Sequence, residues 1–295
     1  MAKPDSMKLK TKFLNKIRMI GMLRPVEKVL VNLAFNKTVG TLFTKIAPNN
    51  YQYPKNSIRI CTRGGIRYSL DISDYMQYCI YFGIEIEPRD TLYGLVRNGT
   101  TVIDVGTNIG ETLLNFAHTN RDGRNIGFEP VPHLYEKAKN NIELNEFANI
   151  ELVNKGLSSV EETLSFYETS ENNTGGTFLT RDDNTDSIRS VQAVRLNDFA
   201  EQNQLENISL IKIDVEGFEM EVLKGASEVL KRWEPTLFVE IDDNFLARQQ
   251  SSATAVFDFL VSHGYKIKNA KTDEYIGSGL AISGKHLDIV AEPIA

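Results

Sequence analysis

From residue 101 onward, short apolar runs typical of strands alternate with stretches whose apolar residues are spaced as in helices. The strand-like runs lie at 101–105, 125–129, 150–154, 209–215 and 236–241. This alternation predicts a parallel sheet with helices on its faces, so the expected fold class is α/β. A helix around 251–263 and two or three strands within 265–292 are expected to close the chain.

The segment from 155 to 208 interrupts this alternation. It holds two strand-like runs, 163–168 and 190–196, which flank the polar stretch 170–189. Because that stretch has no periodicity, it is predicted to be a mobile loop.

Upstream of residue 101 the pattern is different. Alternating apolar residues on both sides of a glycine pair predict a hairpin at 57–72, where the main folded body is expected to begin. Residues 7–36 have helical spacing with a break at Arg24 and Pro25. We therefore predict a helical N-terminal extension over 1–55 and a main domain over 56–295.

Charge separates these two parts of the chain. Residues 1–50 carry ten basic and two acidic side chains, which gives them a net charge of +8. Because the whole chain has a net charge of −6, residues 51–295 carry −14. The extension could pack on the main domain with its lysines in water, or it could lie on an anionic membrane. The acidic main body argues against nucleic acid as a partner.

Composition narrows the class of protein further. The 295 residues are 41% hydrophobic and 24% charged, and the two cysteines cannot build a disulfide framework. No apolar run reaches the length of a membrane span, and no signal-peptide pattern opens the chain. We expect a cytoplasmic protein, with contact to the inner face of the membrane if the extension binds lipid.

A glycine turn follows the strand-like run 101–105. Asp104, Gly106, Asn108 and Gly110 belong to the sequence DVGTNIG, which precedes a helical pattern. A strand, glycine turn and helix in this order bring backbone N–H groups to the carboxyl edge of a sheet, where open α/β folds bind ligands. A tight turn that needs glycine conformations explains the same residues without a ligand.

Glu129 ends the next strand and is placed to accept hydrogen bonds from a ribose diol. Alternatively, it caps the helix that begins near Pro132. The turn is not GxGxxG, and Glu111 places a carboxylate where a pyrophosphate would lie, so a cationic methyl donor is favoured over a dinucleotide. Asn154 follows the third strand, where folds of this kind often contact adenine.

A third motif, KIDVEGFE, ends the strand-like run 209–215. Its carboxylates Asp214 and Glu216 could orient a hydroxyl acceptor, take its proton or hold a metal. Asp214 could instead be a plain turn or cap residue. Glu219 is either part of this site or a solvated helix residue.

The order DVGTNIG, FEP, KIDVEGFEMEVLKGA and LFVEI resembles the FkbM family of S-adenosylmethionine-dependent methyltransferases, over about 101–241. The resemblance implies a Rossmann-like, mostly parallel seven-stranded sheet. It also implies O-methylation, often of a sugar in a glycan or glycolipid or of a secondary metabolite.

Residue by residue, the resemblance assigns cofactor binding to the glycine turn and Glu129, and the strand-end motif to Asp214 and Glu216. Two positions depart from the family pattern. Thr107 stands where alanine is usual, and Asn197 stands where an aspartate commonly precedes Asp198.

Asp242 and Asp243 follow the strand-like run 236–241 and could join Asp214 around a divalent metal such as Mg²⁺. The alternative is a polar turn that caps the following helix. None of the four histidines forms a recognisable triad or metal pair, and His286 is interpreted as structural.

Two other functions remain open from sequence. One is a catalytically inactive Rossmann-like module that binds a glycan or a membrane partner. The other is an NAD-dependent oxidoreductase, which the glycine turn disfavours.

Overall fold

The computed structural model describes residues 18–34, 46–84, 88–168, 173–181, 189–276 and 286–294. Contacts divide the chain into two compact units. The first comprises 1–63, 67–86 and 170–174, and the second comprises the remainder. The division at residue 55 stays a prediction.

Within the part of the chain that the structure describes, the first unit contains most of the predicted hairpin and two helices. Its elements are a 3₁₀ turn Met19–Met22, α1 Arg24–Ala34, a 3₁₀ turn Asn50–Gln52, β1 Ile58–Arg63, β2 Ile66–Asp71 and α2 Tyr75–Phe82. The chain is extended at Leu23, so a break falls where Pro25 predicts one. Residues 1–17 of the expected helical extension lie outside the described residues.

A buried ion pair organises the first unit. Arg59 donates to both carboxylate oxygens of Glu27, at 2.6 and 2.8 Å, and the Tyr81 hydroxyl donates to the same carboxylate at 3.0 Å. Because Glu27 has no exposed surface, its charge requires these partners. The inward face of α1 is therefore set by Glu27 and Val31, while Val29 is 56% exposed.

The second unit is built on a seven-stranded sheet. Its strands are β3 Thr101–Val105, β4 Arg124–Phe128, β5 Ile150–Val153, β10 Ile208–Ile213, β11 Thr236–Asp242, β12 Tyr265–Asn269 and β13 His286–Pro293. They lie in the order β12-β13-β11-β10-β3-β4-β5, and β13 runs antiparallel to the other six strands. This is the predicted Rossmann-like methyltransferase fold.

Helices cover both faces of this sheet, as expected for buried parallel strands. They are α3 Arg89–Gly94, α4 Glu111–Thr119, α5 Pro132–Glu143, α6 Leu196–Gln202, α7 Glu219–Gly225, α8 Ser227–Trp233, α9 Asp243–Arg248 and α10 Ala253–Ser262. Helices α6 to α10 contribute to the core on one face, and α3 and α4 pack on the other. Within the described residues, no helix is long and apolar enough to cross a bilayer.

A second sheet was only partly predicted. It consists of β6 Gly156–Leu157, β7 Glu162–Glu168, β8 Thr177–Thr180 and β9 Ser190–Val194, in the order β6-β9-β7-β8. The prediction of a continuous loop at 170–189 is wrong for β8, which pairs antiparallel with β7. Tyr167 of β7 stacks on Phe178 of β8, with ring centroids 5.5 Å apart. This aromatic contact stabilises β8, whose sequence lacks the alternation typical of a strand.

The apolar spacing after the motif KIDVEGFE predicts one helix through about residue 232, and the structure divides it in two. The helical pattern after residue 217 forms α7 and α8, which meet at Ala226. A side chain at Gly225 would place its Cβ 2.0 Å from the Ser158 carbonyl oxygen. The close approach of the Ser158 backbone therefore requires glycine where α7 ends.

Candidate functional site

The glycine turn after β3 adopts the strained backbone that its sequence predicts. Gly106 and Gly110 have φ of +81° and +89°, and Asn108 between them has φ of +52°. A Cβ on Gly106 would lie 1.9 Å from the Asp214 carbonyl oxygen. The turn therefore needs glycine both for its conformation and for the approach of the chain after β10.

Glu129 ties the end of β4 to this turn. Its Oε2 accepts the Asn108 backbone N–H at 2.7 Å, and its Oε1 accepts that of Val131 at 3.0 Å. Burial raises the pKa of Glu129 to about 7, against the lowering effect of these bonds. Each carboxylate oxygen keeps a further lone pair, so a ribose diol can still bind there, and that role stays a prediction.

Asn154 supports the same corner of the sheet. Its Nδ2 donates to the carbonyl oxygens of Glu129 and Pro130, at 2.8 and 3.1 Å. These bonds hold the chain between β4 and α5, which orients the Glu129 carboxylate. Contact between the exposed Asn154 and an adenine ring stays a prediction.

Lys212 joins the glycine turn to the strand-end motif. Its ammonium lies 3.4 Å from Asp104 Oδ1 and 3.1 Å from Asp214 Oδ2, and it donates to the Gly106 carbonyl oxygen at 3.0 Å. Asp104 has no exposed surface, and burial raises its pKa to about 6 although Lys212 opposes this shift. Asp104 therefore holds Lys212, and its part in cofactor binding stays a prediction.

Asp214 remains partly open to solvent, with 27% of its side chain exposed. Burial favours its neutral form, but Lys212 and a hydrogen bond with Glu240 outweigh burial and hold its pKa below the usual value. Asp214 is therefore a carboxylate at neutral pH, available to accept a hydrogen bond at the carboxyl edge.

The residues after Asp214 form a second strained turn. Glu216 has φ of +52° and Gly217 of +103°. The Glu219 carboxylate accepts the Gly217 backbone N–H at 2.9 Å and is 1% exposed, so its interpretation as a solvated helix residue is wrong. Burial and the charge of Asp214 raise the pKa of Glu216 to about 9, which makes this half-buried side chain neutral at pH 7.

The carboxylates of Asp242 and Asp243 cap helices. Asp242 Oδ1 accepts the backbone N–H groups of Asn244 and Phe245, at 2.9 and 3.3 Å. Asp243 Oδ1 accepts that of Ala253 at 2.9 Å. These contacts support the capping alternative, and a magnesium site at Asp214, Asp242 and Asp243 stays a prediction with two of its ligands already engaged.

Sequence reasoning missed Glu240 and two residues of β13. Glu240 hydrogen-bonds to Asp214, and His286 Nε2 lies 3.6 Å from Glu240 Oε1. Asp288 is the cross-strand partner of Glu240. The alternation of HLDIV could have shown that His286 and Asp288 share one face, but the partner strand follows only from the sheet order.

The motifs identified from the sequence lie at the carboxyl ends of β3, β4, β10 and β11, along one edge of the seven-stranded sheet. The family model described as the methyltransferase FkbM domain matches residues 104–267, more than half of the chain. The chain belongs to the FkbM methyltransferase family. The match begins at Asp104 and includes every site residue named from sequence.

The chain is also similar to individual proteins. Methyltransferase 1 of Beauveria bassiana is 27% identical over 166 residues, which cover 48% of this chain and 65% of that protein. The FkbM methyltransferase structure from Methylobacillus flagellatus covers 94% of this chain and 60% of its own, with 16% identity and a TM-score of 0.46. SMU.1697c from Streptococcus mutans, solved in complex with SAH, covers 72% of this chain and all of its own, with 11% identity and a TM-score of 0.43.

Proposed function

We propose that this FkbM family member uses S-adenosylmethionine as its methyl donor and methylates a hydroxyl group. The acceptor class is a sugar in a glycan or glycolipid, or a secondary metabolite. The observation that carries the proposal is the position of the Glu129 carboxylate, which is buried at the end of β4 and bonded to the turn residue Asn108. An acid at this position suits a ribose diol.

The residues at the turn fit this donor. Asn108 Oδ1 is buried, and among the described residues no donor reaches it. A buried acceptor of this kind calls for a partner, and the ammonium or ribose hydroxyls of the donor can provide one. Asn108 and Glu129 would hold the donor, which supplies an electrophilic methyl group on its sulfonium when bound.

On the acceptor side, the chain contributes position and hydrogen bonding. Asp214 is ionised and partly exposed at the end of β10, so it can accept the hydrogen bond of an acceptor hydroxyl. Glu216 is neutral at pH 7 because its pKa is raised to about 9, so it can donate a hydrogen bond to another oxygen. Positioning alone can supply about 7–11 kcal/mol of rate acceleration, so a strong base is not required.

A thermal-shift experiment separates the donor from its rivals. Purified protein is melted with S-adenosylmethionine, with NADH and without ligand. At 100 times its dissociation constant, a ligand stabilises the protein by about 2.7 kcal/mol. We expect stabilisation by S-adenosylmethionine alone. Stabilisation by NADH alone would favour the oxidoreductase, and stabilisation by neither would favour the inactive binding module.

The acceptor class has its own test. Glycans and lipids from cells with and without the gene are compared by mass spectrometry, and each species that differs by one methyl group is fragmented to locate it. We expect the lost methyl group on an oxygen. Its loss from a nitrogen or carbon would overturn the O-directed part of the proposal and leave the donor assignment intact.

We further propose that the N-terminal region brings the protein to the inner face of an anionic membrane in the cytoplasm. Met19, Ile20 and Leu23 are about 60% exposed next to the basic residues Arg24 and Lys28. Exposed apolar residues beside positive charges are the combination that binds an anionic lipid surface. A lipid-linked glycan acceptor would be found at such a surface.

A further inference from the structure

The antiparallel pair β11 and β13 carries a group of metal-ligating side chains beside the site described above. In its register Glu240 lies opposite Asp288, and Asp242 lies opposite His286. Residues two apart on a strand share a face, so all four side chains lie on one face at the carboxyl end of β11. Asp243, which the sequence suggested as a ligand, is not among them.

Three of these residues converge on one point. A carboxylate oxygen of Glu240, a ring nitrogen of His286 and a carboxylate oxygen of Asp288 all lie within 4.8 Å of one another. Ligands at about 2.0–2.2 Å from a metal ion lie roughly 3 Å apart when their bonds to it are at right angles. The present separations exceed that distance by less than about 2 Å.

The surroundings of His286 support this arrangement independently. Its Nε2 faces Glu240 Oε1 at 3.6 Å, while its Nδ1 faces Asp242 Oδ2 at 3.8 Å. Asp242 is itself fixed through Oδ1 by the first turn of α9. A histidine that ligates a metal usually directs its other ring nitrogen to a carboxylate or carbonyl, which sets the tautomer and the ring orientation.

The local charge also favours a cation. Glu240 and Asp288 are directly opposite acids on adjacent strands, a pairing that is destabilising when both are ionised. The nearby Asp214 adds a third carboxyl group. The ammonium of Lys212 contacts Asp104, Asp214 and the Gly106 carbonyl oxygen. A divalent ion would neutralise the acids that face each other.

We infer that Glu240, His286 and Asp288 form a binding site for a divalent transition metal, with Asp242 orienting the histidine. One imidazole and two carboxylates suit Mn²⁺, Fe²⁺ or Zn²⁺ better than Mg²⁺, which prefers oxygen ligands alone. Three protein ligands leave coordination positions open. If the proposed function holds, the acceptor oxygen can bind at an open position next to Asp214.

Mn²⁺ binding, followed by the electron paramagnetic resonance signal of the free ion, tests this site in the full chain after chelator treatment. We expect one Mn²⁺ per chain in the wild type. The variants His286→Ala and Asp288→Asn should each bind it at least 10-fold more weakly, and Asp242→Asn should bind it about 10-fold more weakly. Asp243→Asn and His263→Ala are the matched controls and should bind as the wild type does.

Three results would overturn the inference. The first is a folded wild type that binds no Mn²⁺, and the second is Mn²⁺ binding that both His286→Ala and Asp288→Asn retain. The third is Mn²⁺ binding that Asp243→Asn abolishes and His286→Ala retains. Calorimetric binding of S-adenosylmethionine to the same variants is recorded in parallel. It should survive in His286→Ala, so the failure of the metal site can be told from the failure of the donor assignment.

Discussion

The ammonium of Lys212 lies 3.4 Å from Oδ1 of Asp104, across the neighbouring strands β10 and β3. Both residues are almost fully buried. Replacing Lys212 with Met leaves the Asp104 charge without its partner, and breaking a buried pair in this way costs about 3–5 kcal/mol. We expect Lys212→Met to lower the free energy of unfolding in urea by that amount at pH 7.

Two comparisons sharpen this prediction. The double variant Lys212→Met, Asp104→Asn should recover part of the loss, because the unpaired charge is gone. The exposed Lys231 gives the control Lys231→Met, which should change stability by less than about 0.5 kcal/mol. A Lys212→Met chain as stable as the control would show that the pair does not hold the two strands.

Gly106→Ala is predicted to be among the most damaging small substitutions in the chain. The residue has φ of +81°, and a Cβ there would lie 1.9 Å from a backbone oxygen that belongs to Asp214. Left-handed backbone alone costs about 1–2 kcal/mol, and the clash adds to it. We expect a loss of more than about 3 kcal/mol in chemical denaturation, or failure to fold.

Gly94→Ala is the matched control for that substitution. Gly94 ends α3, and its added Cβ would meet nothing within 4 Å. This variant should be neutral or slightly more stable than the wild type. Equal effects of the two substitutions would contradict the close approach of the two strand ends.

A pH dependence follows from Glu219. Burial raises its pKa from 4.5 to about 7, so the folded state binds this proton more tightly than the unfolded chain. Its contribution to stability is fully present below pH 4.5 and is lost as the pH rises through 7. Glu219→Gln stays neutral and should be more stable than the wild type by about 1–3 kcal/mol at pH 8.

Urea denaturation at pH 5 and pH 8 measures this difference. At pH 5 the wild type and Glu219→Gln should be nearly equal, because the carboxyl is protonated in the folded wild type. The exposed Glu228 provides Glu228→Gln as the control for the substitution itself at both pH values. If Glu219→Gln and the wild type differed by the same free energy of unfolding at both pH values, the raised pKa of Glu219 would be disproved.

The N-terminal surface makes a prediction about membranes. The wild type should float with anionic vesicles at low salt and much less at high salt, because screening weakens attraction to the lipid surface. The double variant Ile20→Ser, Leu23→Ser should float less at either salt concentration. Val261→Ser, which removes an equally apolar exposed residue from α10, should float as the wild type does.

Much of the fold was predictable because its signals are local. The alternation of apolar runs and helical patterns placed β3, β4, β5, β10 and β11 within about two residues. The proximity of the glycine turn, Glu129 and Asp214 is predictable for the same reason, since parallel strands end at one edge and their last residues meet there.

The remaining features depend on contacts between distant segments. β8 is stabilised by its pairing with β7, and Gly225 ends α7 where the Ser158 backbone approaches. His286 and Asp288 lie opposite Asp242 and Glu240 because β13 inserts antiparallel between β11 and β12. No local pattern indicates that insertion, so the sequence alone could not place His286 beside Glu240.

The proposed site for S-adenosylmethionine is the edge of the sheet where Glu129 meets the glycine turn. Calorimetric titration of the donor into the wild type, Glu129→Ala and Glu136→Ala tests it, with Glu136 as the exposed glutamate on the following helix. We predict one site per chain in the wild type, binding about 10- to 100-fold weaker in Glu129→Ala, and no change in Glu136→Ala. A folded wild type that binds no donor would disprove donor binding, and equal affinity in Glu129→Ala would show that Glu129 does not hold the donor.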